Sequence, residues 1–205
     1  MRKYINIVTE SILIVEEDNY PPPENASKTQ IAGTLPTYVK AKQHLDRIHT
    51  YFGKTLDFGA GLGIGATYMG ADSYEPFPRT NFKPTYTKVE QIPSNTYSRV
   101  TNLNVLNVLD RNTRDIVVKN IGRVLAPGGI AIITTRGKDV MTTKGQEGPE
   151  SMSNITSIGT YQKGFTPKEL MIYVQDILGD GFTVQPLKLG RAGVIVKKVT
   201  NDKPV

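Results

Sequence analysis

A run of alternate glycines constrains this chain more than any other part of its sequence. Residues 56–65 read Leu-Asp-Phe-Gly-Ala-Gly-Leu-Gly-Ile-Gly, an apolar stretch that leads into glycines at every second position. Glycine has no Cβ, so this segment suits a sharp turn from a strand into a helix at which a ligand approaches the backbone. A turn without a ligand needs only one or two glycines, and each further one costs conformational entropy on folding. The segment therefore favours a ligand-binding turn.

Two kinds of nucleoside cofactor suit such a turn. Residues 61–66 match the G-x-G-x-x-G/A pattern of dinucleotide-binding proteins, in which a helix N-terminus holds a pyrophosphate. Asp57 precedes the glycines, however, and a carboxylate there repels a pyrophosphate and suits a cationic group such as the ammonium or sulfonium of S-adenosylmethionine. Glu75 follows the next predicted strand, where a carboxylate can accept hydrogen bonds from both hydroxyls of a ribose. Either cofactor would supply that ribose.

Segments with helical spacing alternate with short apolar segments along the chain. The alternation favours a doubly wound, Rossmann-like α/β fold. The connection 188–192 is too short for a crossover, so the last two strands must pair as a hairpin. The prediction is a mostly parallel, seven-stranded sheet with a C-terminal antiparallel hairpin strand. Helices are predicted at 36–52, 62–70, 111–125 and 166–178, and strands at 54–58, 71–75, 86–89, 97–103, 130–135, 182–187 and 193–199.

Two segments show no such spacing. Residues 1–35 contain three consecutive prolines, which predict an extended or mobile lead-in before a single domain at 36–205. Residues 137–164 are rich in glycine, serine and threonine and are predicted to form a long loop. A loop of that length in a compact domain is more often functional than not.

The composition excludes several kinds of chemistry. The chain has no cysteine, which excludes disulfides, thiolate metal sites and a cysteine nucleophile. Its two histidines, His44 and His49, are too few for a multi-histidine metal site, so we predict no bound metal. No apolar run approaches a membrane span, and the N-terminus lacks a signal-peptide core. We expect a soluble cytoplasmic protein without membrane association.

The net charge of +6 is unevenly distributed. Residues 79–123 carry eight basic and three acidic side chains. A basic face attracts polyanions such as nucleic acid, and a solvated basic surface also keeps a small protein soluble. Both interpretations stay open on the sequence.

These residues resemble the class I S-adenosylmethionine-dependent methyltransferase family. The resemblance rests on 57–63, on Glu75, and on Leu-Ala-Pro-Gly-Gly at 125–129, and it covers roughly residues 36–199. Within the family, the stretches at 101–108 and 159–162 are similar to small phage-type members.

The resemblance implies a cofactor site around the glycine turn. Asp57 would hold the methionine ammonium, directly or through water, and Glu75 would bind the ribose. Asn102 would end the strand at which the methyl group meets the acceptor, so Asn102 and Asn104 are the candidate catalytic residues. The other implied cofactor-binding residues are Phe58, Gly59, Ala60, Gly61, Pro76, Gln91, Ile92 and, in addition to its catalytic role, Asn102, and the predicted substrate-binding residues are Tyr161, Gln162 and Lys163.

The implied reaction is methyl transfer from S-adenosylmethionine. Residues 102–105 lack the prolines and the aromatic residue that orient an amino group on a nucleobase in this family, and methylation of a cytosine carbon would need a cysteine. Nucleic acid is still slightly favoured as acceptor because of the charge. The alternatives are a small molecule, a protein side chain, or a regulatory protein that binds the cofactor without catalysis. A nicotinamide-dependent oxidoreductase is the most distant one.

Overall fold

The computed structural model describes residues 20–30, 36–48, 53–79 and 81–200. The helices are α1 (Pro36–Ile48), α2 (Ile64–Met69), α3 (Arg111–Val124) and α4 (Pro167–Leu178). The strands are β1 (Lys54–Phe58), β2 (Asp72–Tyr74), β3 (Tyr97–Leu103), β4 (Leu125–Thr135), β5 (Gly145–Glu147), β6 (Ser153–Thr156), β7 (Tyr161–Lys163), β8 (Phe182–Pro186) and β9 (Ala192–Lys198).

The main sheet has the strand order β2-β1-β3-β4-β9-β8. Strands β2, β1, β3 and β4 are parallel, β9 runs antiparallel to β4, and β8 pairs antiparallel with β9. The predicted Rossmann-like sheet with a C-terminal hairpin is therefore confirmed. The carboxyl ends of β1 and β3 lie side by side next to β2, where ligands bind in sheets of this kind.

The described part of the main sheet has six strands, where the sequence predicted seven. At 86–89 the pairing is confined to Tyr86, which forms an isolated parallel bridge with Tyr74. The N–H of Tyr86 donates to the carbonyl of Ser73, and its carbonyl accepts from the N–H of Glu75. Pro84 has no N–H, so a ladder that included it would lack a donor. The predicted edge strand is thus reduced to one bridge beside β2.

Helices cover both faces of the main sheet. On one face, Ala41 and Leu45 of α1 pack with Ile130 and Ile132 of β4. On the other face, the apolar sides of α3 and α4 pack against β1, β3, β4 and β9, and this larger cluster includes Leu56, Val118 and Leu170. Burial of apolar surface on both faces is typical of parallel sheets.

The segment 137–164 is not a long loop, and that prediction is wrong. It contains a 3-10 helix, Lys138–Thr142, followed by a three-stranded antiparallel sheet in the order β5-β6-β7. Strands of three or four mostly polar residues are too short to show the alternation of apolar and polar side chains by which a strand is recognised in a sequence. Their backbone hydrogen bonds, which composition does not reveal, hold this small sheet together.

Residues 20–30, which we call the roof, lie over the carboxyl ends of β1 and β3. Pro23–Thr29 form a 3-10 helix, contrary to the extended lead-in that the prolines predicted, because proline is tolerated in the first turn of a helix. Asn25 donates to the carbonyl of Gly159 at 3.0 Å, and Arg79 donates to the carbonyl of Ser27 at 3.0 Å. The rest of the predicted lead-in lies outside the described residues.

In the part of the chain that the structure describes, no helix combines the length and the apolar character that crossing a membrane requires.

The start of α4 allows a direct test of this architecture. The Thr166 hydroxyl accepts from the N–H of Glu169, and the Glu169 carboxylate accepts from the N–H of Thr166. Replacing a helix N-cap of this kind by alanine costs about 1 kcal/mol. We expect Thr166→Ala to lower the free energy of unfolding in urea by about that amount, while Thr183→Ala, at an exposed position of β8, changes it much less. Equal effects of the two substitutions would contradict the assigned cap.

Candidate functional site

A cavity of about 460 Å³ lies at the carboxyl ends of β1 and β3. A volume of this size is within the range of small-molecule and cofactor sites. The glycine turn and the end of β2 form one side, α3 contributes Thr113 and Val117, and the roof covers it with Pro23, Ala26 and Gln30 among others. The cavity brings together six of the residues implied as cofactor-binding: Phe58, Gly59, Ala60, Gly61, Glu75 and Pro76.

The glycines of the turn make room for neighbouring side chains. A Cβ at Gly63 would lie 2.0 Å from the Phe82 ring, and one at Gly65 would lie 2.2 Å from the Tyr38 ring. Both distances are far below van der Waals contact, so these positions admit only glycine unless the rings move. The glycine pattern therefore serves internal packing as well as a ligand.

Asp57 is fully buried, and its carboxylate does not reach the cavity surface. Its two oxygens accept hydrogen bonds from the hydroxyls of Tyr38 and Thr101, each at 2.8 Å. Burial, opposed by these two hydrogen bonds and assisted by the nearby Glu75, raises the pKa of Asp57 to about 6. Asp57 thus lies behind Tyr38, whose ring lines the cavity, and its contact with a ligand ammonium, directly or through water, stays a prediction.

Glu75 is the carboxylate that the structure places in the cavity wall. Its Oε2 accepts from the N–H of Gly61 at 2.8 Å, and its Oε1 accepts from the N–H of Phe77 at 3.1 Å. Burial raises the pKa of Glu75, and the two backbone donors oppose that effect. A carboxylate has about four acceptor positions, so Glu75 retains capacity for the hydroxyls of a ribose.

The charge of the cavity wall restricts its ligands. Among the described residues that line the cavity, none is a lysine or an arginine, and Glu75 is the only acidic one. A pyrophosphate here would have no cationic side chain beside it; Glu75 would repel it, and it would depend on the backbone N–H groups at the start of α2, a helix of only 6 residues. A cationic nucleoside meets no such repulsion. The residues present therefore fit S-adenosylmethionine better than a dinucleotide.

The two asparagines implied as catalytic lie at different depths. Asn102 is buried below the cavity, and its Nδ2 donates to the carbonyl of Phe58 at 2.8 Å, which supports the strand end before the glycines. Asn104 lines the cavity with a left-handed backbone (φ 59°), and its N–H donates to the carbonyl of Thr134 at 2.9 Å. Only Asn104 is thus placed to meet an acceptor.

Gln91 and Ile92 lie away from the cavity, and the expectation that they flank an adenine is corrected. The Gln91 side chain accepts from the N–H groups of Thr87 and Lys88, which closes the short 3-10 helix Val89–Gln91. Ile92 is buried in the apolar cluster on the α3 side of the sheet. Val108, Leu109 and Val117 form an apolar part of the cavity wall instead.

Tyr161, Gln162 and Lys163 form strand β7 and are buried, so they do not cover the cavity as the sequence suggested. The Tyr161 hydroxyl donates to Glu150, and Gln162 accepts from Asn107 at 3.2 Å. Lys163 lines a second cavity of about 340 Å³ between α3, α4 and the small sheet. These residues connect the small sheet to the segment that precedes α3.

Two residues that shape the cavity, Tyr38 and Gln30, carried no recognisable signal in the sequence. Tyr38 fitted the apolar spacing of α1, so nothing distinguished it from a core residue. Gln30 belongs to a segment whose prolines predicted an extended or mobile lead-in, and its position over Gly61 depends on tertiary packing.

No protein-family model matches the sequence, and no curated protein matches it. Solved structures match the fold. A 1,6-didemethyltoxoflavin-N1-methyltransferase from Burkholderia thailandensis, with S-adenosylhomocysteine bound, superimposes with a TM-score of 0.58 at 15% identity, over 81% of this chain and 79% of that one. The amino pentose methyltransferase CalS10 from Micromonospora echinaspora, with S-adenosylmethionine bound, superimposes with a TM-score of 0.58 at 14% identity, over 89% of this chain and 99% of that one. The N-methyltransferase NodS from Bradyrhizobium japonicum, with S-adenosylhomocysteine bound, superimposes with a TM-score of 0.54 at 13% identity, over 88% of this chain and 99% of that one.

The chain has the fold of these methyltransferases. At identities of 13–15% the likeness concerns the fold alone. In this fold, the cavity lies at the strand ends that are followed by the glycine turn and by Glu75.

The raised pKa of Asp57 predicts a dependence of stability on pH. Its pKa rises from 3.8 in the unfolded chain to about 6 in the folded one, so its favourable contribution is complete below pH 4 and is lost as the pH rises through 6. Asp57→Asn cannot ionise. Relative to wild type, we expect this variant to gain up to about 3 kcal/mol in free energy of unfolding between pH 4 and pH 7.

Urea denaturation at several pH values measures this difference. Asp180→Asn, which removes an exposed carboxylate, serves as the matched control and should follow wild type closely. A constant offset between Asp57→Asn and wild type from pH 4 to pH 7 would show that burial does not raise the pKa of Asp57.

Proposed function

We propose that this chain binds S-adenosylmethionine in the cavity below the roof and transfers its methyl group to a small acceptor molecule. The observation that carries the proposal is the charge of the cavity wall. A carboxylate, Glu75, faces the cavity at the end of β2, and the described part of the wall has no lysine or arginine. Three solved neighbours with this fold contain S-adenosylmethionine or S-adenosylhomocysteine, which supports the proposal.

Each part of the cavity has a separate task in this proposal. Glu75 accepts hydrogen bonds from the ribose, and its own position is fixed by the N–H groups of Gly61 and Phe77. The Gly59 backbone (φ 89°) passes under the cofactor, where a Cβ would collide with Val105 at 2.6 Å. Asp57 acts through Tyr38, whose ring lies in the wall.

The cofactor supplies an activated methyl group on a sulfonium, so the protein mainly needs to orient the acceptor. Asn104 lies at the strand end that faces the cavity, with its backbone fixed by Thr134. The titratable residues in the described part of the wall are Tyr38, Tyr74 and Glu75. Two of these are already engaged with Asp57 or with backbone donors. An acceptor that keeps a free electron pair at neutral pH, such as a weakly basic amine or a ring nitrogen, suits this environment, and any proton on the methylated nitrogen then leaves to solvent.

Two observations favour a small acceptor over nucleic acid. The roof covers the cavity and is tied to the small sheet by Asn25 and to the β2 side by Arg79, which leaves little width for a polymer. The acceptors named for the solved neighbours are a toxoflavin precursor and an amino pentose. The nucleic-acid acceptor, which the sequence slightly favoured, finds no support in these comparisons.

The basic segment 79–123 also loses much of its free charge on folding. Arg99 pairs with Asp46 at 2.8 Å, and the buried Arg114 pairs with Glu150 at 2.6 Å. Arg123 donates to the carbonyls of Val89 and Ile92. Side chains that are committed to internal partners are less available to phosphates.

Calorimetry with S-adenosylhomocysteine and NAD tests the cofactor. We expect S-adenosylhomocysteine to bind and NAD not to bind, because the wall repels a pyrophosphate. Glu75→Gln should weaken S-adenosylhomocysteine binding by about 1–3 kcal/mol, the cost of lost hydrogen bonds in a buried site. Glu90→Gln, an exposed position outside the cavity, is the matched control. Binding of NAD alone would overturn the proposal.

Transfer of a labelled methyl group from S-adenosylmethionine tests the acceptor. We expect label in a small-molecule fraction that contains amines and none in RNA, DNA or protein. Label in nucleic acid would restore the acceptor that the charge suggested. Tight cofactor binding with no label in any fraction would favour a regulatory protein without catalysis.

A further inference from the structure

Gln30, the last residue of the roof, lies directly on the glycine turn. Its N–H donates to the carbonyl of Ser27 at 3.2 Å, which closes the 3-10 helix of the roof. Its side chain lines the cavity, and a Cβ at Gly61 would lie 3.4 Å from its Cγ. Gly61 has a left-handed backbone (φ 57°), so the bare face of this glycine is turned towards Gln30.

The side-chain carbonyl of Gln30 is buried without a hydrogen-bond partner among the described residues. A buried acceptor that has lost water and gained no donor is unfavourable, and native proteins keep few of them. The surrounding cavity wall offers no lysine or arginine in its described part. No described residue therefore donates to this oxygen, and a ligand in the cavity can supply the donor.

A second acceptor converges on the same glycine. Glu75 Oε2 accepts from the Gly61 N–H at 2.8 Å, so the carboxylate and the Gln30 amide lie on two sides of one residue. A ligand group that satisfies both must carry two adjacent donors. The vicinal hydroxyls of a ribose meet this requirement, because each can donate one hydrogen bond while both stay on the same ring.

We infer that Gln30 is a cofactor-binding residue whose side-chain carbonyl accepts a hydrogen bond from a ribose hydroxyl, with Glu75 accepting from the other one. The inference rests on the proposed function. It makes the roof part of the cofactor site rather than only a cover. Asn25 anchors the same roof to Gly159 in the turn between β6 and β7.

Two substitutions at position 30 test the inference. Gln30→Leu keeps the size of the side chain and removes the acceptor, whereas Gln30→Glu keeps an acceptor at the same place. Gln146→Leu, at an exposed position in β5, is the matched control. The probes are S-adenosylhomocysteine and 5′-methylthioadenosine, which has the ribose but lacks the amino-acid part.

By calorimetry, we expect Gln30→Leu to weaken both probes by a similar factor of about tenfold, since both carry the ribose. Gln30→Glu and Gln146→Leu should retain most of the affinity. Without a ligand, Gln30→Leu should melt at or above the temperature of wild type, because it removes an unpaired buried acceptor.

Unchanged affinity of Gln30→Leu for both probes would overturn the inference. A loss confined to S-adenosylhomocysteine would overturn the ribose contact, because the amino-acid part alone would then depend on Gln30. A ligand-free melting temperature well below wild type would show that Gln30 has a partner inside the protein, which also contradicts the inference. Failure of wild type to bind either probe would instead refute the proposed function.

Discussion

The absence of Cβ atoms along one turn is the constraint on which the rest of this structure depends. Side chains from three separate parts of the chain occupy the space that those atoms would need: Val105 at Gly59, Phe82 at Gly63 and Tyr38 at Gly65. The turn is therefore a packing centre in addition to the ligand site that we propose there. Because Tyr38 lies against it, α1 is fixed to the sheet at the place where the cavity begins.

The buried carboxylate of Asp57, beneath this turn, connects the elements that surround it. It joins β1 to α1 through Tyr38 and to β3 through Thr101, in an environment that raises its pKa. A buried charge of this kind costs free energy unless it is well hydrogen-bonded. Here both oxygens are satisfied by hydroxyls. The strand end thus combines an unfavourable charge with a defined geometry, which is common where a protein prepares a site for a polar ligand.

A second polar cluster holds the roof and the small sheet in place. Glu150 accepts from Tyr20, Tyr161 and the buried Arg114, which brings the roof, β7 and α3 to one carboxylate. Although burial opposes it, the hydrogen bond from Arg114 holds the pKa of Glu150 below its usual range. Removing one partner of such a buried pair leaves an uncompensated charge. The cover of the cavity therefore depends on residues far from it in sequence.

Within the described ranges, the sequence by itself determined the four helices, the six strands of the main sheet with its C-terminal hairpin, and the position of the glycine turn, because local spacing and connection length dictate these. It also located Glu75, since a strand end is visible in the chain. Only the tertiary structure decided which of these groups reach the cavity. Asp57 lies beneath the wall and Gln30 lies over it because contacts between distant segments, with Tyr38 and with Gly61, set their depth. The strands of the small sheet stayed hidden for a related reason: their stabilising hydrogen bonds belong to the backbone, which carries no residue-specific signal.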